Sequence, residues 1–178
     1  MNSVLRIVFL GFFISHIPIT MLVDGQALFG QHYPATLTEL FSWYTSTYKD
    51  VLMDKALTPP WAKGMMYCEL FFQLPFFFYA TASLLSKNEG VRIPGIVYGS
   101  HTATTLIPIL MYIWCFPEDV SPFLTQSDKI VLFLFYLPYL LIPLLFMFVC
   151  VFNETLFGEG GGMDRIGRQH ATIKAKLY

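Results

Sequence analysis

Four stretches of this chain stay apolar for longer than a soluble helix requires: residues 4–29, 61–86, 93–116 and 129–152. About 20 consecutive apolar residues cross the hydrocarbon layer of a bilayer as one helix, so each stretch predicts a transmembrane span. The first has a rival reading as a secretory signal peptide, because Arg6 precedes an apolar run. His16 and Pro18 interrupt that run and no small-x-small cleavage site follows, which favours a retained helix. It ends at Gly25 or runs on through Leu28, so Asp24 sits either at its rim or inside it.

Between the first two spans the pattern changes. Leu37, Leu40, Phe41, Tyr44, Tyr48 and Leu52 recur at helical spacing, predicting one or two short amphipathic helices on the membrane face. Thr36-x-x-Glu39 fits a capping box at their start, and Pro59-Pro60 stops them. Lys87-Asn88-Glu89-Gly90 reads as a tight turn, and Pro117 to Ser127 as a second short connection, acidic at Glu118 and Asp119. After the fourth span comes a tail, 156–178, that opens with Gly158-Glu159-Gly160-Gly161-Gly162 and is too glycine-rich to hold structure. The expected architecture is an all-α membrane protein: a four-helix transmembrane domain over 1–155 and a flexible cytosolic tail.

Composition agrees. The chain is 55% hydrophobic, only 13% charged, and has a mean hydropathy of +0.55, where a soluble domain carries nearer 25% charge. A net charge of -1 argues against a nucleic-acid partner, which needs a concentrated basic face. Cys68, Cys115 and Cys150 fall in apolar runs at unrelated spacings, as buried thiols rather than a disulfide frame or metal site. No zinc spacing, serine–histidine elbow or phosphate-binding glycine loop is present, so no metal or cofactor is expected.

With both ends in the cytosol, that side holds Arg6, Lys87, Arg92, Arg165, Arg168, Lys174 and Lys176; the other holds Lys49, Lys55, Lys63 and Lys129. The bias favours cytosolic termini. Lys174-Ala175-Lys176-Leu177-Tyr178 looks like a dilysine retrieval signal for the endoplasmic reticulum. Asn153-Glu154-Thr155 would be a glycosylation sequon only on a lumenal tail.

The chemistry lies in polar residues inside the spans. Glu69, eight residues into the second, costs about 2.5 kcal/mol or more to place in lipid. His16, Thr20 and Asp24, at i, i+4 and i+8, form one stripe on the first helix. Every span carries proline (Pro18; Pro75; Pro108; Pro138 and Pro143), which kinks a helix and frees a carbonyl. Four kinked helices are apt to enclose a space, although kinks without a cavity are the plainer outcome. If Asp24 and Glu69 meet there, they share one proton, because two close carboxylates do not both ionise in a low dielectric. Such a pair attracts a cation or handles protons. Gln73 lies one turn beyond Glu69, and Thr105 and Tyr139 offer hydroxyls from the other spans. The plainer alternatives are an inter-helix hydrogen bond for Glu69, a wet rim position for Asp24, and packing roles for His16 and His101. Asp50, beside Lys49, is a surface or capping residue, or a brace for the lumenal segment.

Several runs are shared with a known family. Ser15-His16-Ile17-Pro18-Ile19-Thr20 followed by Asp24, Cys68-Glu69 with Phe72-Gln73-Leu74-Pro75-Phe76-Phe77, His101-Thr102 with Thr104 to Leu110, and Pro138 to Pro143 resemble the sigma-2 receptor (transmembrane protein 97) family. Trp43-Tyr44 and Lys49-Asp50 fall in register as well. That family belongs to the EXPERA group, with the emopamil-binding sterol isomerase as a relative. The resemblance implies a four-helix protein of the endoplasmic-reticulum membrane, with nuclear and endolysosomal membranes as further locations. It also implies a homodimer with an occluded pocket opening sideways to the bilayer. By that likeness Asp24 meets a ligand's ammonium and Glu69 hydrogen-bonds Asp24. Gln73, Thr105, Tyr139, Trp43 and Tyr44 then line the pocket. The ligands implied are lipophilic amines, sterols or oxysterols, the setting is membrane lipid and cholesterol homeostasis, and the partner is a Niemann–Pick type C cholesterol transporter.

Two functions follow. The first is a binding protein for cationic amphiphiles and sterols, with no catalytic residue. The second is a sterol Δ8–Δ7 isomerase using Asp24, Glu69 and His101 as acid and base. Against the second, the isomerase pattern has a late-helix tryptophan, whereas the fourth span has none and the third only Trp114, near its end.

Overall fold

The computed structural model describes residues 1–54, 57–117 and 124–158, and those residues form helices and turns only. The dilysine-like end, the glycine tract beyond Gly158 and the acidic pair Glu118 and Asp119 lie outside them. Four helical runs are long and apolar enough to cross a membrane: Ser3–His32, Pro60–Ser86, Glu89–Trp114 and Gln126–Phe152.

The first two runs are not uniform helices. The first contains α1 (Ser3–Ile19), a π-helical turn (Thr20–Asp24), α2 (Gly25–Phe29) and a 3-10 turn (Gly30–His32). The second contains α4 (Pro60–Cys68), a π-helical turn (Glu69–Gln73) and α5 (Leu74–Ser86). Sequence pattern predicted proline kinks here, and at these points the helices widen into π turns. Pro75 has no N–H, and its ring crowds the carbonyl four residues back. The wide turn just before it lets the Leu74 amide bond the Glu69 carbonyl five residues away. In the first run Gly25 N–H likewise reaches the Thr20 carbonyl. Such π turns are rare and gather at functional sites.

Between these runs comes α3 (Ala35–Tyr48), which touches the fourth run. Its N-cap is Pro34, with no side-chain cap bond, so the Thr36/Glu39 capping box does not form. Thr38 instead bonds the Ala35 carbonyl at 2.8 Å. A true capping box stands at Thr125 and Asp128, where α7 (Gln126–Phe152) begins. Lys49 ends α3 in the left-handed region, at φ 52, and its ammonium reaches Asp128 at 2.7 Å.

α6 (Arg92–Trp114) and α7 pack along most of their length. The close approach needs Gly95 and Gly99: a β-carbon on Gly99 would stand 2.6 Å from the Pro143 carbonyl. One apolar core joins Phe9, Phe13, Phe77, Leu84 and Phe146 toward the chain termini. A second, under α3, joins Val51, Leu52, Ile113, Phe116 and Leu132. Phe71 and Phe72 point outward, at 63% and 71% exposure, as the lipid-facing members of the aromatic run. Leu156, assigned to the tail by sequence, is fully buried in the first core, and Glu89 accepts the backbone amides of Leu156 and Phe157, each at 2.7 Å.

Candidate functional site

The two wide turns face each other, and the intramembrane polar residues converge between them. Glu69 Oε1 accepts the Thr20 hydroxyl at 2.9 Å and lies 3.2 Å from His16 Nε2. The Asp24 carboxyl lies close enough to Glu69 and Thr20 to interact with both. His16, Thr20 and Asp24 are all buried, at 6%, 0% and 8% exposure, so the predicted stripe points inward as a unit.

The π turn accounts for that alignment. At 3.6 residues per turn, four α-helical steps overshoot a full circle by about 40°. A stripe at i, i+4 and i+8 therefore drifts by about 80° in a straight α-helix. The wide turn from Thr20 to Asp24 takes back part of that drift, and three residues reach one glutamate.

These groups open onto a cavity of about 580 Å³. Asp24, Glu69, Gln73, Thr105, Tyr139, Trp43 and Tyr44, singled out from the sequence, all line it. Its walls are otherwise mostly apolar, with Leu22, Met65, Met66, Leu106 and Phe135 among them. Of the described residues that line it, His16 is the only one with a basic side chain. An apolar hollow with a few converging polar groups is the usual form of a small-molecule site. Gln73 accepts the Thr102 hydroxyl at 3.3 Å, and Thr105 donates to the Thr102 carbonyl at 2.9 Å. The His16 ring packs on Phe77 and Tyr139, with centroids 4.6 and 4.7 Å apart. His101 is not among the lining residues.

α3 forms the cover. Leu37, Leu40, Phe41, Trp43 and Tyr44 face the cavity, yet none of the helix is fully buried. Its firm attachment is Asp50, which is 0% exposed rather than a surface residue. Asp50 Oδ2 accepts the hydroxyls of Tyr44, at 2.7 Å, and Tyr136, at 2.9 Å, while Oδ1 accepts the Leu52 amide at 3.0 Å. Burial raises the Asp50 carboxyl above the ordinary range, against the opposing pull of these hydrogen bonds. Burial, then the Asp50 charge, raises the Tyr44 hydroxyl. Tyr136 carries no role in the sequence pattern; the only signal was its place one turn before Tyr139.

Among the described residues no group of three His, Cys, Asp or Glu side chains is placed to hold a metal ion.

Comparison with known proteins adds ancestry. The family model described as EXPERA (EXPanded EBP superfamily) matches residues 36–150, which takes in Glu69 and stops short of Asp24. The Sigma intracellular receptor 2 of Xenopus tropicalis is 45% identical over 151 residues, 82% of this chain and 87% of that one. The Homo sapiens protein of that name is 40% identical over 144 residues, 76% and 81% of the two chains. A more distant relative, the Efficient mitochondria targeting-associated protein 19 of Schizosaccharomyces pombe, is 31% identical over 142 residues, covering 75% and 67%.

Proposed function

Because this chain belongs to the EXPERA family, we propose that it is an intracellular membrane receptor whose cavity takes up cationic amphiphiles and sterols. One observation carries the reading: the Asp24 and Glu69 carboxyls lie close together in a largely apolar cavity that no lysine or arginine among the described residues lines. Two carboxylates this close in a low dielectric do not both ionise, so the pair holds one proton and carries a single negative charge. An ammonium reaching Asp24 neutralises a charge that is costly in this setting, and its apolar body fills the hollow. A sterol would use the same walls, with its hydroxyl at the polar end.

The decisive experiment is amine binding to Asp24→Asn. We expect loss of tight binding with folding kept; unchanged affinity refutes the reading.

The relatives' receptor names support binding over catalysis. A sterol isomerase remains the second reading, favoured by the imidazole of His16 beside the carboxyl pair, which supplies both an acid and a base. Conversion of a Δ8 sterol to its Δ7 isomer by purified protein would establish it.

We further propose the endoplasmic-reticulum membrane as its location, with both termini cytosolic, on the charge bias and the dilysine-like end. A homodimer working in cholesterol homeostasis, with a Niemann–Pick type C cholesterol transporter as partner, rests on the resemblance alone.

A further inference from the structure

We infer that Tyr33 and Gly25 form a latch that holds the first π turn open and so aims Asp24 at its ligand; the inference rests on the binding function proposed above. In α-helical register the Gly25 amide would bond the Met21 carbonyl. Here it bonds the carbonyl of Thr20, one residue earlier. The Met21 carbonyl thereby loses its ordinary donor, and a freed backbone acceptor near the membrane needs another. Tyr33, just past the helix end, folds back and donates its hydroxyl to Met21 O at 2.5 Å, across twelve residues of sequence.

Room for that contact comes from Gly25. A β-carbon there would lie 2.3 Å from the Tyr33 hydroxyl and 3.5 Å from its ring carbon. Glycine at this point has a helical φ of -59; it is needed for the space above it, not for an unusual backbone angle. The latch closes on the residues next to Asp24, near enough that the Asp24 charge, after burial, helps keep the Tyr33 hydroxyl protonated and able to donate. Asp24 is the last residue of the wide turn. Closing that turn to α-helical register would swing it away from Glu69, since each residue turns the helix by about 100°. Neither Tyr33 nor Gly25 lines the cavity, so both are positioning residues.

The test is a double-mutant cycle on the full chain, reading affinity for a lipophilic amine and the melting temperature of ligand-free protein. Tyr33→Phe removes the donor; Gly25→Ala pushes the hydroxyl off Met21. Each is expected to weaken amine binding about three- to tenfold, the range set by one neutral hydrogen bond. Melting temperature should shift by no more than about 2 °C. Adding Gly25→Ala to Tyr33→Phe should cost little more, because the clashing hydroxyl is already gone.

Unchanged affinity in both single variants overturns the latch. So does a loss of affinity that merely follows a lower melting temperature, or two losses that simply add. Asp24→Asn, run alongside, separates the failures. If it abolishes binding while Tyr33→Phe does nothing, only the latch is wrong; if it also does nothing, the binding function itself fails.

Discussion

Thr20 donates its hydroxyl to Glu69 Oε1 at 2.9 Å, and each is the first residue of a π-helical turn on its own span. The two irregular turns are thus joined side chain to side chain where the helices depart from α geometry. The bond ties the stripe of the first span to the one carboxylate the second span carries in its apolar run.

Thr20→Val keeps the volume and removes the donor. Thr20 is fully buried, and an ordinary hydrogen bond contributes about 0.5–1.5 kcal/mol. A destabilisation toward the low end is expected, since His16 remains beside Glu69. Thermal unfolding in detergent measures it, and an unchanged midpoint would show that the bond contributes little.

The Asp50 anchor predicts a pH effect. Its carboxyl titrates above the ordinary range when folded, so the folded state holds this proton longer than the unfolded chain does. The protonated acid's contribution is present in full below the unfolded value, near 3.9, and is lost as pH rises through the folded one. Asp50→Asn cannot lose a proton. It also turns a donor toward either the two tyrosine hydroxyls or the Leu52 amide, at a cost of about 1–3 kcal/mol. The variant should therefore melt below wild type, with a gap that narrows as pH rises. A gap that widens would mean that the bonds from Tyr44, Tyr136 and Leu52 outweigh burial.

Gly99→Ala tests the seam between α6 and α7. Its β-carbon would meet Met147 Cβ and the Pro143 carbonyl, both at 2.6 Å, and neither belongs to the free end of a flexible side chain. Overpacking of this kind costs about 1–3 kcal/mol. Gly64→Ala, where nothing lies within 4 Å, is the control and should be neutral or slightly stabilising. Equal midpoints for the two variants would contradict the packing described.

The spans were legible because lipid demands an uninterrupted apolar length, a signal that outweighs local propensity. The His16, Thr20 and Asp24 stripe was legible for the same reason: polar groups in such a run must face a partner. The π turns were not. Proline announces a missing donor, yet whether the helix also widens is decided by what packs against it. The Asp50 knot was also hidden, since its partners come from Tyr44 and Tyr136, 86 residues away at the far end. At the Thr36/Glu39 motif, Pro34 took the cap position first. The anchoring of Leu156 and Phe157 was hidden because Glu89 supplies the acceptor for their amides from another loop.

The carboxyl pair should respond asymmetrically to neutralisation. Glutamine at position 69 resembles a protonated glutamate: its oxygen still accepts from Thr20, and its amide donates to Asp24. Asp24 then keeps the single negative charge that an ammonium needs. Asparagine at position 24 removes that charge and leaves Glu69 engaged by Thr20 and His16, held back from the ligand. Glu69→Gln is therefore expected to lower amine affinity by less than about tenfold, or roughly 1.4 kcal/mol, while Asp24→Asn abolishes it. Titration of both variants with the same amine decides the matter. Equal losses would show that the charge belongs to the pair as a whole; a greater loss at position 69 would reverse the assignment and make Glu69 the ligand's partner.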